Sequence, residues 1–269
     1  MIVLLVLLLV IGAAYLLALR GRRNHPGLEK LKGWNYAHRG LHDEKLPENS
    51  MGAFRAALDH GFGIELDIHL MADGNLAVIH DSSLQRTAGV NVTIESLTTD
   101  QLANYKLKGT EETIPLFSDV LALFNGAAPL IVELKTNGGN ADKLCQVACA
   151  MLDSYHGPYC IESFDPRCIR WLRKHRPQII RGQLAENSLH RYSNIPWIIR
   201  FVMTNHLLNF WTCPDFIAYN FPHRKTLGAY LCRKFWGVQG VAWTLRTKED
   251  FDTAVAENWL PIFEGFLPK

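Results

Sequence analysis

The chain has 269 residues, 28 of them Lys or Arg and 26 Asp or Glu, and 48% of it is apolar. That much apolar material over that length can bury a sizeable core, which excludes disorder as the main state. A net charge of +2 lacks the basic excess of a nucleic-acid footprint, so no nucleic-acid partner is expected even with seven Trp available for base stacking.

The first element is an uncharged run, Ile2 to Leu19, rich in Leu, Val and Ile. Its eighteen residues, at about 1.5 Å each, come close to a hydrocarbon core of roughly 30 Å. Only the terminal amine precedes the run, whereas a cleaved signal peptide carries positive charge there, so residues 1–20 are predicted to form one N-terminal transmembrane helix. Arg20, Arg22 and Arg23 follow, and residues 21–33 read as a basic juxtamembrane linker. Positive residues beside a first span tend to stay in the cytoplasm, which predicts a single-pass cell-membrane protein with its N-terminus outside and the remaining chain inside. Three charges fall short of a polybasic lipid site, so the arginines are read as a solvated flank. Cys145, Cys149, Cys160, Cys168, Cys213 and Cys232 form no CxxC pair and are expected to be reduced packing residues.

Residues 34–269 carry a barrel rhythm. Short apolar or β-branched runs recur at Asn35–Arg39, Gly63–Ile68, Leu130–Lys135, Tyr159–Phe164, Ile179–Leu184, Asp215–Asn220, Gly240–Leu245 and Leu260–Glu264. Helical periodicity lies between most of them, as in Met51, Phe54, Ala57 and Leu58 ending at Gly61, or Phe251, Ala254 and Val255. Alternating β and α predicts an α/β fold, a (β/α)8 TIM barrel. One further run, Leu76–Asp81, follows the second strand after only Met71-Ala72-Asp73-Gly74-Asn75, too short for a parallel crossover, so it is predicted to return as a β-hairpin. That hairpin brings His80 back beside Glu65 and Asp67.

In such a barrel, chemistry belongs at the C-terminal ends of the strands. His38-Arg39-Gly40 ends the first, Glu65 and Asp67 share a face of the second, and Glu133 and Lys135 share a face of the next. Carboxylates inside a barrel are costly unless paired or bound to a cation, so this trio points to one hard divalent ion, Mg2+ or Ca2+, rather than zinc. Arg39 and Lys135 beside it would suit an anionic oxygen such as a phosphate ester, and His38 and His80 have the unperturbed acidity to exchange protons near neutral pH.

These residues also carry a resemblance. His38-Arg39-Gly40, Pro47-Glu48-Asn49-Ser50, Gly63 to Ile68, Asp73-Gly74, His80-Asp81, Arg86-Thr87, Glu133-Leu134-Lys135, Ser163-Phe164 and Trp243-Thr244 stand in the order seen in the glycerophosphodiester phosphodiesterase family. The resemblance implies that Glu65, Asp67 and Glu133 hold the metal, that His38 and His80 are the acid-base pair, and that Arg39 and Lys135 bind phosphate. It also implies a small cap between Asp81 and Pro115. The last strand departs from it: Glu264-Gly265-Phe266-Leu267-Pro268 stands where the family often has Thr-Asp before a Pro, so that Asp's role is not carried over.

Asn49 and Ser50, both suited to helix starts, are read together as the helix cap and loop anchor, outside the chemistry. Trp243 is a candidate substrate contact. The aromatic stretch Ile195 to Trp211 is expected to pack as a barrel helix face, the competing reading being a membrane-interface patch. His42, His60, His69, His156, His175, His190, His206 and His223 are assigned to surface or structural places. The expected activity is hydrolysis of a glycerophosphodiester to sn-glycerol 3-phosphate and an alcohol by a membrane-anchored enzyme. A lysophospholipase D acting on lysophospholipids is the nearest alternative, and a non-catalytic phosphate-ester-binding protein a more distant one.

Overall fold

The computed structural model describes residues 1–107, 109–189 and 195–268. Its strands are β1 (Tyr36–His38), β2 (Gly63–Leu70), β3 (Leu76–Val78), β4 (Leu130–Leu134), β5 (Tyr159–Ser163), β6 (Arg181–Ala185), β7 (Phe216–Asn220), β8 (Gln239–Leu245) and β9 (Trp259–Phe263). All but β3 pair in parallel, and β1 bonds both β2 and β9, which closes the predicted eight-stranded barrel. Strand β3 returns antiparallel on β2, with Ile68 opposite Val78, as the short turn required.

Around the barrel run α2 (Met51–Asp59), α3 (Phe117–Phe124), α4 (Ala141–Leu152), α5 (Pro166–His175), α6 (Trp197–Thr204), α7 (Asn209–Thr212), α8 (Leu227–Lys234) and α9 (Lys248–Ala256), preceded by α1 (Ile2–Ala18). Several begin on side-chain caps: Ser50 accepts from the Ala53 amide, Asp165 from that of Arg167 with Pro166 next to it, and Thr226 and Thr247 serve α8 and α9. Of the pair read as helix cap and loop anchor, Ser50 is the cap.

Period-two alternation divides the strands' side chains. Ile64, Leu66, Ile68, Leu130, Val132 and Leu134 face the helices and form the main outer core. Inside, Tyr36, Ile131, Cys160, Phe216, Val241 and Leu260 fill the lower barrel over a short 3-10 turn at Pro26–Leu31, whose Leu31 carbonyl accepts from the Tyr36 hydroxyl. Gly182 makes room for this plug: a Cβ there would lie 2.0 Å from the Phe216 ring. One step further along the same strands the interior turns polar. Residues between β3 and α3 form the expected cap, with a small core of its own that includes Ile79, Leu84, Ile94, Leu97 and Ile114. All six cysteines are unpaired and only Cys213 is not fully buried, as expected of packing residues.

The N-terminal run departs from expectation. Helix α1 has 17 residues, about 25 Å, and none of the described helices is long and apolar enough to cross a membrane. Its last turn is also committed to the barrel: Leu19 is buried with Ile217, Cys232 and Val238, and Trp236 Nε1 donates to the Leu16 carbonyl at 2.7 Å. Two of the three arginines are not a solvated flank. Arg22 makes a two-pronged ion pair with the buried Asp215 (Nη2 to Oδ2 2.7 Å), and Arg23 donates to the carbonyls of Phe235 and Trp236. They lock the linker to the lower rim because the β6–β7 end presents a carboxylate that burial leaves in need of a cation.

Candidate active site

At the upper end of the barrel, strand register brings the predicted residues together. His38 is level with Glu65, Asp67 with Glu133, and Glu133 with Glu162, and registered neighbours in parallel strands point the same way. Glu65, Asp67 and Glu133 are buried, and one carboxylate oxygen from each lies within 4.8 Å of the others. Lys135 Nζ sits 2.7 Å from Glu133 and 3.0 Å from Asp67. Arg39, at a positive φ of 55°, aims its backbone amide at Glu65 (3.2 Å) and its guanidinium at Glu48 (2.8 Å) and Asp67 (3.5 Å).

Both histidines are held the same way. His38 Nδ1 meets Glu264, whose other oxygen is gripped by Arg246 at 3.0–3.1 Å. His80 Nδ1 meets Asp81 at 2.6 Å, and Asp81 is gripped by Arg86 at 2.5 Å. A carboxylate on Nδ1 fixes the tautomer and leaves Nε2 for chemistry; His38 Nε2 faces Glu65 at 3.8 Å. Arg86 also clasps Glu48, which in turn holds Arg39, so one chain of ion pairs ties the His80 side to the acid trio.

The electrostatics ask for a cation. Burial, then the neighbouring charges of Asp67 and Glu133, pushes the Glu65 carboxyl well above its usual range. Burial raises Glu133 to about 7 against the pull of Lys135, with Asp67 adding to the rise. Asp67 goes the other way: burial would raise it, but Lys135, Arg39 and an Asn49 hydrogen bond outweigh that. Two carboxyls that resist ionisation, in a buried oxygen-only set whose three oxygens lie within 4.8 Å of one another, fit a hard divalent ion. Burial lowers both His38 and His80, partly offset by Glu264 for the first and by Asp67 for the second, which favours the neutral imidazole that can take a proton.

Several participants escaped the sequence reading. Asn49, expected with Ser50 to serve only the helix start and loop, donates from Nδ2 to Asp67 at 2.9 Å with both side chains buried, so it orients a member of the trio. Glu162, fully buried beside Glu133, is a fourth acid whose Oε2 finds no partner among the described residues; the repeat of Ile131-Val132-Glu133 as Cys160-Ile161-Glu162 was its signal. Glu264 stands where the family pattern breaks and holds His38; His42 Nε2 approaches it at 3.9 Å, so His42 borders the site instead of lying apart from it. Buried His69 bonds Glu95 at 2.7 Å and the His80 carbonyl at 3.1 Å, a structural place as assigned; His190 lies outside the described residues. Trp243 packs edge-on against Phe164 with ring centres 5.7 Å apart, and its buried Nε1 finds no partner among the described residues. The stretch Ile195 to Trp211 does not pack as core throughout: Trp197 is 59% exposed, Ile198 58% and Phe210 55%, because α6 turns only Thr204 fully inward.

A closed parallel barrel whose open end gathers a buried acid trio, two cations and two carboxylate-held imidazoles is the architecture of a barrel phosphodiesterase. The sequence profile of the Glycerophosphoryl diester phosphodiesterase family matches residues 38–260, and the chain belongs to that family. It is 28% identical over 234 residues to the Glycerophosphodiester phosphodiesterase of Caldanaerobacter subterraneus subsp. tengcongensis, a match covering 81% of this chain and 88% of that one. To the Glycerophosphodiester phosphodiesterase of Bacillus altitudinis it is 38% identical over 108 residues, 37% of this chain and 43% of that relative, so the match spans less than half of the latter's length. Its fold is similar to an Oleispira antarctica phosphodiesterase solved in complex with the product sn-glycerol-3-phosphate, with a TM-score of 0.70 and 20% identity over 86% of this chain and 92% of that one.

Proposed function

We propose that this chain hydrolyses glycerophosphodiesters to sn-glycerol 3-phosphate and an alcohol. The observation that carries the reading is the pair of imidazoles, each fixed through Nδ1 to an arginine-backed carboxylate, flanking one buried oxygen-only trio. Glu65, Asp67 and Glu133 would hold one divalent cation, Mg2+ or Ca2+, which when bound supplies charge stabilisation for the phosphoryl oxygens. Arg39 and Lys135 face the same space and orient the phosphate. One histidine takes a proton from the attacking hydroxyl while the other, entering the step as the imidazolium, gives its Nε2 proton to the departing alkoxide, and Trp243 is the candidate contact for the glycerol or alcohol. Glycerol 3-phosphate release should stop on chelation and return with Mg2+ or Ca2+; full activity after exhaustive metal removal would dissolve the carboxylate assignment.

A second reading, action on lysophospholipids, is favoured by a cavity of about 780 Å3 next to the site. It runs from Thr136, which follows Lys135 in the chain, past Phe164 and Ala185 to Ile195 and to Ile199 and Met203 of α6, with Asp165, Arg167, Glu186, Ser188 and Arg200 also bordering it. Its apolar side, Phe164, Ile195, Ile199 and Met203, could receive an acyl chain. Turnover of lysophosphatidyl against water-soluble substrates separates the two.

The same reading tethers the chain to the cytoplasmic face of the cell membrane. Met1 to Ala14 stand exposed and apolar, about 21 Å of helix that can embed in a bilayer without crossing it. Protease added outside sealed cells should leave the barrel intact.

A further inference from the structure

We infer that the barrel wall around the root of α1, made by α6, α7 and α8, is a lipid-docking surface, so that the enzyme lies against a bilayer instead of hanging from α1 on a loose stalk. This rests on the tether proposed above and adds to it the face presented and the posture of the barrel.

The first ground is segregation. Among the described residues, every large apolar side chain that is exposed lies on α1 or on the 195–235 wall, apart from Val255 and Leu267. The wall's share is Trp197, Ile198 and Ile199 with Ile195 just before α6, Phe210 on α7, and Leu227, Tyr230 and Phe235 on or beside α8. Helices α2, α3, α4 and α5 show none. Single exposed apolar residues are normal, but confinement to one wall marks a contact face.

The second ground is continuity with α1. Its last turns pack with Leu207, Leu231 and Trp236, between α7 and α8, and are pinned by Leu19, Arg22 and Arg23. The apolar rod therefore leaves the barrel from the middle of the exposed apolar wall and at a fixed angle to it. Whatever receives the rod meets the wall. The chemistry of the wall agrees: Trp197 and Tyr230 are amphipathic rings of the kind enriched at headgroup level, and Arg20, Lys225 and Lys234 are exposed beside them to meet anionic lipid. Helix α6 has a further use in this posture. Ile195 and Ile199 belong both to the exposed wall and to the lining of the cavity beside the catalytic mouth, while Trp197 and Ile198 are exposed without lining it, so the wall and the cavity share an edge.

Hydrogen exchange on the full chain, with and without phosphatidylcholine vesicles containing phosphatidylglycerol, tests this. Amides of residues 197–204, 209–212 and 227–235 should exchange at least fivefold more slowly with vesicles, with α2 and α3 unchanged. The variant I198D/F210D should still sediment with vesicles through α1 yet lose that protection. Protection confined to residues 1–18 would overturn the docking surface while leaving the tether standing. Failure of the chain to sediment with vesicles would remove the tether and the surface together. Protection of the wall that appears without lipid and grows with protein concentration would assign the face to a second copy and refute the lipid.

Discussion

Glu264→Gln is the sharpest probe of how the site is organised, because it changes charge without changing shape. The Glu264 carboxylate serves His38 Nδ1 with one oxygen and Arg246 with the other. Glutamine has a single acceptor oxygen, so both demands cannot be met. If that oxygen stays on His38, a charge-assisted hydrogen bond becomes a neutral one, a loss of about 1–2 kcal/mol or roughly tenfold in rate. If Arg246 keeps it, the amide NH2 turns to Nδ1, forces the proton onto Nε2 and takes the base out of its working tautomer, a change that costs about 10⁴ in a serine protease triad. The expected result is a kcat at least tenfold lower with KM nearly unchanged. Glu264 also offsets part of the fall that burial imposes on His38, so its removal should move the His38-controlled limb of the pH–rate profile to lower pH. Initial rates of glycerol 3-phosphate release at saturating substrate across pH 5–9 measure both. A kcat within twofold of wild type with an unmoved limb would refute the positioning role, and Glu264→Asp, which keeps the charge, should restore the limb more fully than the rate.

Three further outcomes follow from packing and burial. Arg22→Ala strands the fully buried Asp215 carboxylate, leaving it the Arg181 amide as a hydrogen-bond donor, and should cost about 3–5 kcal/mol in urea unfolding, most of it recovered by pairing Arg22→Met with Asp215→Leu. Gly182→Ala puts a methyl 2.0 Å from the Phe216 ring and should destabilise by about 1–3 kcal/mol or more, with Phe216→Leu restoring stability in the double variant. His206 is buried without a hydrogen-bond partner for either ring nitrogen among the described residues, and burial lowers it to about 3. A depressed folded-state value means its contribution is whole above the ordinary 6.5 and is lost as pH falls toward 3, which amounts to about 2 kcal/mol by pH 5. His206→Asn, which tolerates the position's positive φ of 56°, should flatten the melting temperature between pH 5 and 7, and an unchanged slope would contradict this.

The barrel was legible because its strands obey one simple period. Each of the nine expected runs became a strand, and Glu65, Asp67 and Glu133 met because alternation and parallel register both force it. The same rule would have found Glu162, whose strand repeats the spacing of its neighbour; attention to Ser163-Phe164 as a motif hid the parity of the residue before them. Glu264 and Asn49 were illegible for a different reason. Their roles are set by which side chains lie across the mouth, over separations in sequence of 226 and 18 residues, and no local pattern encodes such a meeting.

The N-terminal run shows where composition misleads. Ile2 to Leu19 has the apolarity of a span, but the last turn of that run is spent on contacts with Trp236, Cys232 and Val238 that hydropathy cannot count. Likewise Arg22 and Arg23 looked like flanking charges until the lower rim supplied Asp215 and two carbonyls to hold them. Apolarity measures the tendency to leave water and is silent on whether lipid or protein receives the chain. One helix divides accordingly: its end is held by the barrel, and its beginning stands exposed beside the apolar wall of α6–α8, where the proposed docking would give it to lipid. A docked posture then gives α6 two jobs at once, as outer contact for the membrane and lining for the cavity, so the same few side chains that would meet lipid also border the space beside the catalytic mouth.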